Sequence, residues 1–220
     1  MILSRNRAFK REEPTEEAIK IVIVCEGIRR EGDYFSYFQQ LDSRVEIEVI
    51  RPLPDANNSP TGLFEDFQQR LVADRETGKP ILELQDYDEV WFVIDTDRWG
   101  DKITELRWLT DPHSNYHVVQ SNPCFEVWLY YHFHLNAPKF ANCADSQAWK
   151  PYLNEAVPGG FNPQSHPIHL PDATRHAEHT FERDDAGNPA VGCTELYLLG
   201  QRLHELLGHK LASARRKFGL

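Results

Sequence analysis

Four acidic side chains stand where an enzyme of the α/β class would place its working groups. Glu26 directly follows the apolar run KIVIVC. Asp95 and Asp97 follow EVWFVI, and Glu126 lies six residues beyond YHVVQ, in SNPCFEVWL. In extended chain, residues i and i+2 point the same way, so Asp95 and Asp97 would face one site together. Like charges a few ångströms apart raise one another's pKa unless a cation lies between them. Carboxylate oxygens suit hard ions, so the chemistry implied is Mg²⁺ or Mn²⁺ binding and work on phosphates, not zinc chemistry. Any one of these acids, taken alone, reads as an exposed strand end or a helix cap. The whole set at corresponding strand ends does not.

The elements that must position these acids follow from hydrophobic period. Residues 20–25, 45–51, 89–94 and 116–120 read as strands, the first and third as runs buried on both faces. Between them, 32–41 places Tyr34, Phe35, Phe38 and Leu41 at helical spacing. Residues 60–74 place Leu63, Phe67 and Leu71 likewise, with Ser59 as cap and Pro60 in the first turn. A short helix is expected over 101–109, and another starting at Ser121-Asn122-Pro123. Strands alternating with helices predict an α/β fold: a mostly parallel, Rossmann-like sheet flanked by helices on both faces. In such sheets the working residues gather at the carboxyl ends of the strands. Residues 135–192 are rich in Pro, Asn and Gly, with weak helical stretches near 146–155 and 173–183. Residues 193–216 form a long amphipathic helix. The division expected is a basic tail over 1–18, a catalytic α/β domain over 19–135, and a helical C-terminal extension over 136–220 packed on it.

At this point the residues resemble a known family. The string IVIVCEG, then Glu31 and Tyr34-Phe35, is similar to the opening of the Toprim domain in RloB-like proteins, a relative of the OLD-type nuclease domains. Asp95-Thr96-Asp97 resembles the Toprim D-x-D. Ser121-Asn-Pro-Cys-Phe-Glu126-Val-Trp-Leu resembles the family's most specific signature, and Asn188-Pro189 with the final helix resembles its closing segment. The resemblance implies a Toprim-like fold and Mg²⁺-dependent (or Mn²⁺-dependent) phosphoryl transfer on DNA or RNA. It also implies a place in phage defence or abortive infection beside an ATPase encoded nearby. Glu26 would then be general base or acid, or a direct metal ligand. Asp95 and Asp97 would hold the metal. Glu126 would ligate a second ion or orient a partner. Glu31 is carried over as an acid. Arg29, Arg30, Arg98, Asn122 and Arg175 are the candidates for nucleic-acid contact.

Composition bounds these readings. The chain has 220 residues, 40% hydrophobic and 26% charged, ordinary for a globular protein. Its net charge is −10, whereas proteins that bind nucleic acid by surface charge alone are usually basic. Phosphates must therefore be handled locally, by metal and by the basic ends (Arg5, Arg7, Lys10 and Arg11; Lys210, Arg215, Arg216 and Lys217). Cys25, Cys124, Cys143 and Cys193 never form CxxC, which argues against a zinc ribbon or disulfide framework and for a reducing, cytoplasmic setting. No apolar run approaches a membrane span, and the N-terminal stretch, charged by residue 5, does not read as a signal peptide. His176, Glu178 and His179 give only a weak zinc pattern, and Trp99 beside the D-x-D could stack a base. No serine or cysteine beside a histidine suggests a covalent nucleophile. The competing reading is a nucleic-acid-binding or regulatory Toprim-like subunit without activity of its own; self-association is compatible with either.

Overall fold

The computed structural model describes residues 9–219 except 55, 97, 98 and 141. Four strands, β1 (Ile19–Cys25), β2 (Val45–Ile50), β3 (Glu89–Asp95) and β4 (Tyr116–Ser121), form one sheet in the order β2-β1-β3-β4. Every pairing is parallel. The β-branched runs make the two central strands, β1 and β3, where both faces are covered. Helices α1 (Arg30–Phe35), α2 (Pro60–Leu71), α3 (Asp101–Thr110) and α4 (Glu126–Tyr131) follow the four strands in turn. Helices α5 (Ser146–Ala156), α6 (Leu170–Thr180) and α7 (Leu196–Phe218) complete the chain.

Side-chain alternation along β1 splits the core in two. Ile21, Ile23 and Cys25 face a cluster containing Tyr34, Phe38, Trp128, Leu199, Leu203 and Leu207. Val22 and Val24 face Leu63, Phe67, Ile103 and Leu106. So α1, α4 and α7 cover one face and α2 and α3 the other, as a doubly wound sheet requires. Ser59 caps α2, its hydroxyl accepting from the Gly62 N–H at 3.2 Å, and Pro60 opens the helix. The first cluster also takes in Trp149 and Leu153 of α5 and Ala173 and Ala177 of α6, so the C-terminal part shares a core with the sheet. Among the described residues no helix is long and apolar enough to cross a membrane, and the four cysteines are unpaired.

Several element bounds differ from the sequence reading: α2 ends at Leu71 rather than 74, and α7 runs from Leu196 to Phe218 rather than over 193–216. The helix expected over 32–41 is α1 followed by a 3₁₀ turn at Ser36–Phe38. The helix expected from Asn122-Pro123 begins only at Glu126. The reason is local. Asn122 bonds through its own N–H to the Cys193 carbonyl and through its carbonyl to the Gly192 N–H, while the Pro123 carbonyl accepts from Thr96. These backbone groups are committed to neighbouring segments rather than to a helix. Helix α6 starts earlier than expected, with Pro171 in its first turn, and ends at Thr180, where Phe181 turns extended.

Two glycines of α7 separate packing from propensity. A Cβ on Gly200 would collide with the Thr174 hydroxyl of α6 and lie 3.0 Å from the Trp128 ring. A Cβ on Gly208 would meet only the exposed His204 ring, at 2.9 Å. Gly200→Ala should destabilise the fold by about 1–3 kcal/mol through overpacking, despite the helix propensity gained. Gly208→Ala should stabilise it by about 0.5–1 kcal/mol. Denaturant midpoints of the two variants measure both signs.

Candidate active site at the sheet edge

The strand order fixes where a site can form. From β1 the chain runs outward to β2, then crosses back to β3 on the other side of β1. The crevice beyond the carboxyl ends of β1 and β3 is therefore a topological switch point, where open α/β sheets bind ligands. A cleft of about 740 Å³ opens there. It is lined by Glu26 after β1, Asp95 at the end of β3, Glu31 of α1 and Glu126 in the first turn of α4.

Glu26 is nearly fully buried, at 5% exposure. Its Oε2 accepts from the Asp95 backbone N–H at 3.0 Å and its Oε1 from the Trp99 indole N–H at 2.7 Å. The carboxylate is thus locked across the switch point against the end of β3. Trp99 also packs against the core cluster on the α2–α3 face. Glu126 is buried and paired with Arg30. Burial raises the pKa of Glu31, and the Glu126 charge adds to the rise; backbone N–H donors and Arg30 oppose it. Gly27 is what admits Glu31: any Cβ there would overlap its carboxylate. Cys124, on the same wall, has its thiol pushed up by burial and by Glu126 and Asp95, so it is no thiolate nucleophile.

Thr96, between the two aspartates of the D-x-D, is pinned from β4. Its N–H donates to the carbonyls of Ser121 (2.9 Å) and Pro123 (3.1 Å), and its hydroxyl donates to Ser121 at 2.7 Å. The same hydroxyl accepts from the Gln120 side chain at 2.9 Å. Gln120 is anchored in turn: Arg107 donates to its Oε1 at 3.2 Å, and its backbone exchanges bonds with Glu195. Glu195, 2% exposed, is clamped by Arg107 and Arg183, each at 2.7 Å. A chain of bonds thus runs from the 183–195 segment through β4 to the residue beside Asp95.

The expected residues divide as follows. Glu26, Glu31, Asp95, Glu126, Arg29 and Arg30 all line the one cleft. Asp97 and Arg98 lie outside the described residues. Asn122 does not line the cleft; its amide donates to the Pro189 carbonyl at 2.7 Å and ties down that loop. Arg175 is exposed on α6, bonded to Asp172 at 3.0 Å, and lies outside the cleft lining. His176 bonds the Tyr131 carbonyl at 2.8 Å. Sequence reasoning missed Lys150, which α5 brings to the cleft with Ser146 and Gln147. Arg29 and Lys150 are exposed and form no ion pair among the described residues.

The family model described as RloB-like protein matches residues 21–203. The chain belongs to the RloB-like family. The match takes in β1 from Ile21 on, all of β2, β3 and β4, and every acid of the cleft. No curated protein and no solved structure matches this RloB-like chain.

Glu31 yields a test with a defined sign. A carboxyl whose pKa is raised by folding holds its proton more tightly in the native than in the unfolded state. It therefore costs stability as pH rises through and above its ordinary value of 4.5. Glu31→Gln removes that cost. The variant should gain thermal stability over the wild type at about pH 7 and lose the advantage near pH 4, as followed by melting temperature across that range.

Proposed function

We propose that this RloB-like protein is a divalent-metal-dependent nuclease that hydrolyses phosphodiesters of DNA or RNA. The observation that carries this reading is the cleft: Glu26, Asp95 and Glu126 arrive from three separate chain segments at the switch point, under a rim bearing the exposed cations Arg29 and Lys150, which form no ion pair among the described residues. Acids inside and cations at the rim suit a polyanion whose phosphate is brought to a metal.

The donor set fits Mg²⁺ or Mn²⁺. Mg²⁺ is commonly held by one or two carboxylates, with substrate phosphates completing its shell. Among the described residues no group of three or more Asp, Glu, His or Cys side chains is placed to hold a metal ion; Asp97 of the D-x-D lies outside them. In this proposal Glu26 and Asp95 hold the ion, with Asp97 of the same D-x-D. The bound ion would supply charge neutralisation at the phosphate and a more acidic water. The protein's own groups do the rest. The Asp95 amide and Trp99 fix the Glu26 carboxylate, and the Thr96–Gln120–Glu195 chain fixes the turn after Asp95. Glu126, oriented by Arg30, accepts a proton from water. Arg29 and Lys150 attract and align the phosphates. The net charge of −10 weakens capture of nucleic acid by the isolated chain, so a partner with a basic surface would raise activity. A nearby-encoded ATPase in a phage-defence locus is the partner proposed.

The assay is cleavage of labelled DNA and RNA with Mg²⁺ or Mn²⁺, alone and with that ATPase. Glu26→Ala and Asp95→Ala should each lower the rate by about a hundredfold or more, roughly 2.7 kcal/mol of lost transition-state stabilisation, with the fold intact. Arg29→Ala with Lys150→Ala should raise KM and flatten the salt dependence of binding by about one unit of slope per cation. A wild type inert in every combination would replace this reading with that of a binding or regulatory subunit.

A further inference from the structure

Arg29 and Arg30 line two cavities. One is the acidic cleft; the other, of about 380 Å³, is walled besides by Leu129, Leu153, Asn154, Gly160, Phe161 and Pro163. Its size falls within the range of small-ligand sites, about 300–1,000 Å³. Its walls are mixed: the apolar Leu129, Leu153, Phe161 and Pro163 stand beside the two arginines, Asp33 and the Asn154 amide. Gly159 and Gly160 both hold positive φ, 86° and 75°, in the turn after α5. A Cβ on Gly159 would meet nothing within 4 Å, so the turn leaves that side open. Phe161 then returns to the core against Tyr34 and His132, which fixes its ring as a wall. Asp33, also at this cavity, is paired with Arg51 at 2.7 Å, so its charge is compensated.

We propose that this second cavity receives one unstacked nucleobase of a single-stranded segment whose phosphates lie on Arg29 and Arg30. The proposal rests on the reading of the cleft as a nucleic-acid site and names its substrate class. The arginines form the ridge between the cavities, where a sugar-phosphate backbone passing from one to the other would lie. The Phe161 ring with Leu129, Leu153 and Pro163 suits the flat face of a base, and the Asn154 amide its polar edge. In duplex nucleic acid the bases are stacked and paired, and none can enter without being extruded.

The test is binding without cleavage, by fluorescence anisotropy in EDTA with oligonucleotides about 12 nucleotides long. The probes are a single strand, the matching duplex and a single strand of abasic residues. The base-bearing strand should bind about tenfold tighter than the other two. Asn154→Trp, at an exposed position of α5, fills the cavity and should abolish that preference while leaving abasic binding unchanged. Equal binding of base-bearing and abasic strands overturns the proposal, as does a folded Asn154→Trp variant that keeps the preference. So does a wild type that binds no strand. Should the variant fail to fold, the wild-type comparison decides alone. The base preference without cleavage in Mg²⁺ would remove the nuclease reading and keep the pocket; cleavage without the preference would do the reverse.

Discussion

The parallel pairing of β1 with β3 is the constraint on which the cleft depends. It aligns Cys25 with Val93, so the chain leaves both strands at one edge. There the Glu26 carboxylate reaches the Asp95 amide at 3.0 Å. Because β2 lies on one side of β1 and β3 on the other, the crossover helices α1, from β1 to β2, and α2, from β2 to β3, pack on opposite faces. The edge between them stays open. A register slip of one residue would exchange the side chains that the central strands turn toward the two core clusters. The position of the acids is thus guaranteed by the same burial that holds the sheet together.

Gathering acids at one edge has an electrostatic cost, and the structure offsets it in three ways. Arg30 pairs with buried Glu126. Backbone and indole N–H groups solvate Glu26. Glu31 bears its burial as a raised pKa, in a space that exists only because residue 27 has no side chain. Compensation is thus partial inside the cleft, and Arg29 and Lys150, which have no acid partner among the described residues, stand at its rim. A site meant only for stability would gain by replacing such buried charges with apolar groups. Their presence in a concave site is what the proposed nuclease reading calls for.

Much of this was legible in the sequence because it is local. The apolar runs of β1 and β3 announce buried parallel strands, and an acid after such a run falls at the carboxyl edge without further information. Contacts between distant segments were not legible. Lys150 reaches the cleft only because α5 docks through Trp149 and Leu153 onto the sheet cluster. Glu195 meets Arg107 and Arg183 across 88 and 12 residues of chain. Asn122 resembles a ligand-binding residue in sequence, yet its amide closes a loop 67 residues away. Arg175 was a plausible phosphate contact by type, but its helix places it outside the cleft.

The proposed nuclease requires the edge shared by β1 and β3 to bind a divalent cation through Glu26 and Asp95. Anomalous diffraction from crystals of the protein grown with Mn²⁺ tests it most directly. The account predicts a peak within coordination distance of the Asp95 carboxylate and beside Glu26, lost in Asp95→Asn crystals. Mn²⁺ peaks confined to other acidic surfaces, with the cleft empty at saturating ion and with an oligonucleotide bound, would contradict it.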